Sequence, residues 1–318
     1  QILSHSYEFK NEIYKIKLQD NCHSKLITEW KNLISLMWTK NCIIQPNKFL
    51  KTLQNYSLSQ NNELFCGYEQ NDVSEFIYFL FHAFHNSCKI SVDMNIKGNP
   101  KNNIDKIAIE CYKSFIQNHK NDYSFVVKLC YFIQIYYNER ISDSEIISSS
   151  YESNFIINLP IDSHTSNIYQ CFDTYLKDTM LIGDNALMND KTKQKEDVIR
   201  KSMFWNLPEI LIICLKRFTP DGSRKENKLI NFPINNLDLT KYVYTYKDKK
   251  FIYDLYGVCN HSGRLQFGHY TSFVKVTDFK NNNDKWYHFN DSNISSINEN
   301  KIITSKAYCL FYRKKILN

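Results

Sequence analysis

The chain has 318 residues, enough to bury a large core as one elaborate domain or two small ones. Hydrophobic residues make up 43% and charged residues 23%, a globular balance that excludes a disordered chain. The net charge of +7 is carried by scattered lysines, so a solvated basic surface is the simpler account and no nucleic-acid partner is expected.

Ten cysteines are spread along the chain and no two form a Cys-x-x-Cys pair. No apolar run reaches the roughly 18 residues of a membrane span, so no membrane partner is expected. A secretory signal is not evident either. These features lead us to expect reduced, mostly buried thiols in a cytoplasmic or nuclear protein. The first residue is Gln1 rather than Met, so the chain is expected to lack its natural start.

Residues 1 to about 120 read as mainly helical. Trp30, Leu33, Ile34 and Met37 recur at helical spacing, as do Val73, Phe76, Ile77, Leu80 and Phe84. Asp72, with Glu75 three residues on, forms a capping-box-like start for the second of these helices. Residues 93–106 are polar, contain Gly98 and Pro100, and read as a connection. From Tyr123 to Tyr137 the chain is β-branched and aromatic, and residues 155–160 read as a strand ending at Pro160. Ile168, Cys171, Phe172 and Tyr175 predict a short helix. Residues 183–201 are polar and suit a hairpin tip or extension. Strands are predicted over 207–218, 251–260, 267–277, 285–290 and 307–313. Helices first and strands after them indicate an α+β fold.

The most informative segments lie near the C-terminus. Gly268-His269-Tyr270-Thr271-Ser272-Phe273 opens one strand, and Trp286-Tyr287-His288-Phe289-Asn290-Asp291 closes the next. A histidine base and the amide or carboxylate that orients it are two members of a nucleophilic triad. His269 is the candidate base. Asn290 is the candidate orienter, since its side-chain carbonyl accepts an imidazole N–H, and Asp291 is the alternative. An isolated histidine here would read as structural, and Asn-Asp after a strand would read as a turn. His82, His85, His261 and His288 have no comparable context and read as structural or exposed.

These segments resemble the histidine box of the ubiquitin-specific proteases, papain-like cysteine peptidases. Three further stretches resemble that family in the same order: Tyr68-Glu69-Gln70-Asn71-Asp72-Val73-Ser74-Glu75-Phe76, Leu207-Pro208-Glu209-Ile210-Leu211-Ile212-Ile213-Cys214-Leu215-Lys216-Arg217-Phe218, and Gly257-Val258-Cys259-Asn260-His261-Ser262-Gly263. Asn71 stands where the family has a second Gln, and Cys214 where it has a His. The resemblance implies one catalytic domain over 1–318, with a helical thumb (1–122), β fingers (mainly 123–205) and a β palm (mainly 206–318).

It further implies a thiol hydrolase that cleaves the bond after the C-terminal Gly of ubiquitin. Residues 1–9 resemble the helix that follows the family's catalytic cysteine, so that nucleophile is expected upstream of Gln1. None of the ten cysteines matches its position. Ubiquitin and ubiquitinated proteins are the implied partners. Gln70, Asp72, Phe218, Gly268, Tyr270 and Trp286 are the implied substrate-binding set, shaped for an Arg-rich tail ending Gly-Gly. For Phe218 and Trp286, plain aromatic core packing is an equal alternative. Residues 261–268 resemble a loop that closes over the tail.

Many relatives hold zinc in two Cys-x-x-Cys knuckles of the fingers. Here residues 141–145 contain no Cys, and Asn189 and Thr192 occupy ligand positions of the second knuckle, so no metal and no cofactor are expected. A catalytically inactive module that binds ubiquitin without cleaving it stands as the alternative to the enzyme, and a protease for a ubiquitin-like modifier is a third reading.

Overall fold

A computed structural model describes residues 1–19, 21–38, 44–189, 192–219, 221–264, 267–278 and 283–316. The first third is helical: α1 (Tyr7–Lys15), α2 (Cys22–Met37), α3 (Asn47–Ser59), α4 (Val73–Cys88) and α5 (Asn103–His119). Four of these begin on a side chain that accepts backbone N–H groups left free by the helix start, namely Ser6, Asn21, Asp72 and Asn102. Asn102 therefore ends the polar connection at residue 102, earlier than its composition suggested. Of the predicted apolar faces, Trp30 and Ile34 of α2 and Ile77, Leu80 and Phe84 of α4 are buried.

The stretch read as extended from Tyr123 is helical at first. Ser124 caps α6 (Phe125–Cys130), and β1 (Phe132–Arg140) begins only after it. Phe125, Val126, Val127, Leu129 and Cys130 are all buried, so α6 has no polar face to give it a helical period. β2 (Ile146–Asn154) was not legible at all. It is an exposed, serine-rich edge strand with no apolar alternation. β3 (Ile156–Pro160) and α7 (Ile168–Tyr175) lie where the pattern put them.

Next come β4 (Thr179–Leu181), β5 (Leu187–Met188), β6 (Lys195–Glu196), β7 (Val198–Asn206) and β8 (Ile210–Lys216). After a connection come β9 (Leu237–Asp238), β10 (Ile252–Gly263), β11 (Gly268–Asp278), β12 (Asn283–Asn290), β13 (Asn293–Ser296) and β14 (Ala307–Lys314). Residues 190 and 191 of the expected hairpin tip, and 265 and 266 of the expected closing loop, lie outside the described residues.

A four-stranded sheet in the order β2-β1-β7-β4 stands apart from an eight-stranded sheet in the order β13-β12-β11-β10-β14-β8-β3, with β9 paired to β10. β3 thus leaves the finger segment and joins the palm sheet, in parallel with β8. One core packs α1, α2 and α4 on the sheet through Phe9, Ile27, Phe81, Phe84, Ile212 and Phe311. A second core fills the sheet's other face, around Phe172, Ile213, Tyr253 and Leu310. A third joins α5 to the four-stranded sheet through Cys111, Ile135 and Trp205. The cleft lies where the N-terminus of α4 meets the ends of β11 and β14.

Candidate active site

β11 and β12 pair antiparallel with Ser272 opposite Phe289, which carries Asn290 to the end of the hairpin where His269 enters β11. His269 Nε2 lies 2.6 Å from Asn290 Oδ1. With the amide oxygen as acceptor, the imidazole proton sits on Nε2 and Nδ1 keeps its lone pair. Asp291 Oδ2 is 3.8 Å away, beyond hydrogen-bond distance, and its residue adopts a positive φ of 51° in the turn. The geometry therefore makes Asn290 the direct partner and leaves Asp291 exposed beside it. The His269 side chain is about half exposed, as a base that must meet substrate requires.

Three hydrogen bonds cross the cleft from the start of α4 to the palm. Gln70 Oε1 accepts the Gly268 N–H at 2.6 Å. Tyr270 Oη accepts the Val73 N–H at 3.3 Å. Tyr308 Oη donates to Asp72 Oδ2 at 2.5 Å. The other oxygen of Asp72 caps α4, accepting from Ser74 N at 2.7 Å and from Glu75 N at 3.4 Å. Burial, with Asp72 close by, pushes the Tyr308 and Tyr270 phenols far above their ordinary range, so both remain protonated. Phe218 is half-buried, its ring 5.9 Å from that of Tyr308.

Five of the six expected substrate-binding residues thus converge: Gln70, Asp72, Phe218, Gly268 and Tyr270. Trp286 does not join them. It is 5% exposed, packs in the core on the sheet's other face and donates its indole N–H to Glu299 at 3.3 Å. Of the two readings open for Trp286, core packing is the one its position fits. Its neighbours in the strand alternate faces, and the face that carries Tyr287 and Phe289 is not the one that carries Trp286.

Reading the sequence missed Tyr308 and His261. Tyr308 sat in a predicted strand with nothing to mark it off from the other aromatics. His261 was set aside as structural, although the segment that holds it had been singled out. A different triple, Ser124–His85–Asp122, has the contacts of a serine triad, at 2.8 and 2.9 Å. Ser124 is buried and caps α6, so this group ties α4 to α6 and offers no nucleophile.

A cavity of about 290 Å³ runs along the cleft between Gln1, Trp30, Phe76, Tyr270 and Asp291. Cys259 borders it, but burial pushes that thiol up to about 12. No thiol among the described residues is hydrogen-bonded to His269. The described residues hold no cluster of metal-ligating side chains. Around the positions matched to the relatives' knuckles, Arg140 binds Asp143, Glu145 and Glu196 at 2.7–2.8 Å. Asn189 and Thr192 both bond Glu196, at 2.7 and 3.1 Å.

The profile of the ubiquitin carboxyl-terminal hydrolases matches residues 1–312. The chain belongs to that family. Ubiquitin carboxyl-terminal hydrolase 2 of Homo sapiens is 26% identical over 329 aligned residues, covering 98% of this chain and 52% of that protein. Ubiquitin carboxyl-terminal hydrolase 9 of Arabidopsis thaliana is 37% identical over 177 residues, or 52% of this chain and 19% of that protein. The chain thus spans between a fifth and about half of these relatives. Its fold is shared with the SAGA DUB module Ubp8/Sgf11/Sus1/Sgf73 bound to monoubiquitin, at 22% identity and a TM-score of 0.73, covering 100% of this chain and 66% of that one. The same module bound to ubiquitin aldehyde gives 20% identity and a TM-score of 0.74. No helix among the described residues is long and apolar enough to cross a membrane.

Proposed function

We propose that this chain is the catalytic domain of a deubiquitinating thiol hydrolase, acting on the bond after ubiquitin's C-terminal Gly. The observation that carries the reading is the 2.6 Å contact of His269 with Asn290 at the head of a cleft lined by Gln70, Asp72, Phe218, Gly268 and Tyr270. In that reading Nδ1 of His269 takes the proton of a cysteine thiol, and the thiolate attacks the carbonyl carbon. The C–N bond then breaks, the amine leaves with the proton held by His269, and water hydrolyses the thioester to the carboxylate and the free thiol. On this reading the thiol is expected from a segment that precedes Gln1, a residue that lines the same cavity as Asp291. Ubiquitin and ubiquitinated proteins are the partners; neither nucleic acid nor membrane is.

The second reading is a module that binds ubiquitin without cleaving it. The lack of any described thiol bonded to His269 favours that behaviour for residues 1–318 taken alone. One experiment separates the two. A chain extended upstream through a cysteine is given a fluorogenic ubiquitin C-terminal amide, beside residues 1–318. Hydrolysis by the extended chain alone supports the enzyme. Binding by both without hydrolysis supports the module, and no binding by either rejects both.

A further inference from the structure

His261 takes no part in the His269–Asn290 pair, yet it is 2% exposed and buried against the cleft. Its ring centroid is 4.7 Å from that of Tyr270, 5.4 Å from Phe218 and 6.1 Å from Tyr308. Lys225, from the connection after β8, reaches it twice. Its Nζ lies 3.1 Å from Nδ1 and 2.9 Å from the backbone oxygen of His261. An ammonium only donates, so Nδ1 must hold a lone pair. The neutral ring then carries its proton on Nε2.

The Nε2 edge faces Gly268. A Cβ built on Gly268 would lie 2.0 Å from Nε2 and 2.9 Å from the Ser262 carbonyl oxygen. The φ of Gly268 is not left-handed, so it is the ring and the neighbouring strand, not the backbone turn, that exclude a side chain there. The Gly268 N–H is meanwhile held by Gln70 at 2.6 Å. Gly268, the residue just before His269, therefore has an imidazole edge where a side chain would stand and a carboxamide on its N–H. The ladder adds that Ser262, next to His261, is the cross-strand partner of His269.

We propose that Lys225 and His261 are a positioning pair for His269. Lys225 fixes His261 in the Nε2–H tautomer, and that ring edge sets the path of the chain at Gly268, one residue before the base. The proposal rests on reading His269 as the base. The charged groups around the ring are Lys225, with Arg217 and Lys306 behind it, and Asp72 across the cleft; Tyr270 and Tyr308 are neutral. Burial and Lys225 together hold the His261 imidazole at about 4. Without Lys225 the ring is free to exchange tautomers and takes a proton at higher pH.

Nitrogen-15 NMR of the histidine side chains tests this without need of turnover. In the wild-type chain His261 is expected as one neutral Nε2–H tautomer from about pH 5.5 to pH 8. In Lys225→Met the tautomers mix, the midpoint rises, and the Gly268 amide and His269 ring signals follow that titration. Lys225→Arg, which still donates, restores the wild-type pattern. An Nδ1–H tautomer in the wild type overturns the proposal, as do Gly268 and His269 signals indifferent to Lys225→Met. A second measurement uses ubiquitin affinity. Gly268→Ala is expected to weaken binding by about tenfold, and His261→Ala in the same chain to recover part of the loss, because the two sites share one contact. No recovery counts against the steric link. A wild-type chain that binds no ubiquitin rejects the functional reading, while the tautomer measurement still judges the pair.

Discussion

At the level of single residues, the contact between His269 and Asn290 decides which imidazole nitrogen is free. Asn290 Oδ1 accepts the Nε2–H hydrogen bond at 2.6 Å and so leaves Nδ1 as the base. In a chain carrying the nucleophile, His269→Ala is expected to lower kcat/KM by at least roughly 100-fold, the scale of a lost general base. Asn290→Ala removes one hydrogen bond, about 1.4 kcal/mol, and is expected to cost roughly tenfold. Asp291→Ala should cost less, since its carboxylate stands 3.8 Å off. Steady-state kinetics on the three variants checks the order, and a larger loss at Asp291 would reverse the assignment. The pair was legible because a Gly-His strand head and an Asn-Asp strand end stand about twenty residues apart in a recognisable frame. Tyr308 and His261 were not, because their roles depend on what folds against them. His261 matters only once Lys225, 36 residues away in the chain, lies beside it.

Among the elements, the start of α4 was readable, since a capping side chain acts over three residues. Asp72 does double duty there, capping α4 with one oxygen and accepting from Tyr308 with the other. Asp72→Ala is expected to destabilise the fold by about 1–2 kcal/mol, seen as a lower Tm by calorimetry. Asp72→Asn, which keeps an acceptor, should recover most of that loss. The strands of the four-stranded sheet were far less readable. β2 is only half-buried on one face, where Tyr151 packs against the α5 core, and the serines along it leave no apolar alternation in its sequence. α6 failed for the opposite reason, since burial on every side also erases periodicity. At the tip of this sheet Arg140 is ringed by Glu196, Asp143 and Glu145. A guanidinium already pairs with those carboxylates, and a dication placed there would have to displace it. Neither Asn189 nor Thr192 offers a thiolate. Elemental analysis of protein purified without chelator is therefore expected to find no zinc; about one zinc per chain would show that this cluster is not what organises the tip.

For the molecule as a whole, the histidines set how the fold responds to acid. Burial lowers the pKa of His5, His23, His82, His119 and His261, five of the nine histidines in the chain. Each stays neutral in the fold at a pH where the unfolded chain would already be protonated. The unfolded state then binds more protons, and stability rises with pH across that window. The contribution is fully present above the ordinary imidazole value of about 6.5. It is lost as pH falls toward the folded values, which for His261 lie at about 4. These histidines are spread over the α1 approach, the α2–α4 face, the end of α5 and the cleft wall, so the loss is not confined to one subdomain. Acid should weaken the helical half and the cleft together. The expected result is a Tm that falls steadily from about pH 7 to pH 4.5, steeper than a carboxylate-driven transition that begins nearer pH 4. Calorimetry across that range reads it directly. His119→Phe gives the sharper check, because neither ring nitrogen of His119 has a hydrogen-bond partner and the ring packs against Phe115 and Tyr131. Replacing it removes one proton-binding site without breaking a bond, so the slope of stability against pH should flatten while stability at pH 8 is kept. A flat Tm between pH 7 and pH 5 in the wild type would mean that these imidazoles are not held neutral by the fold.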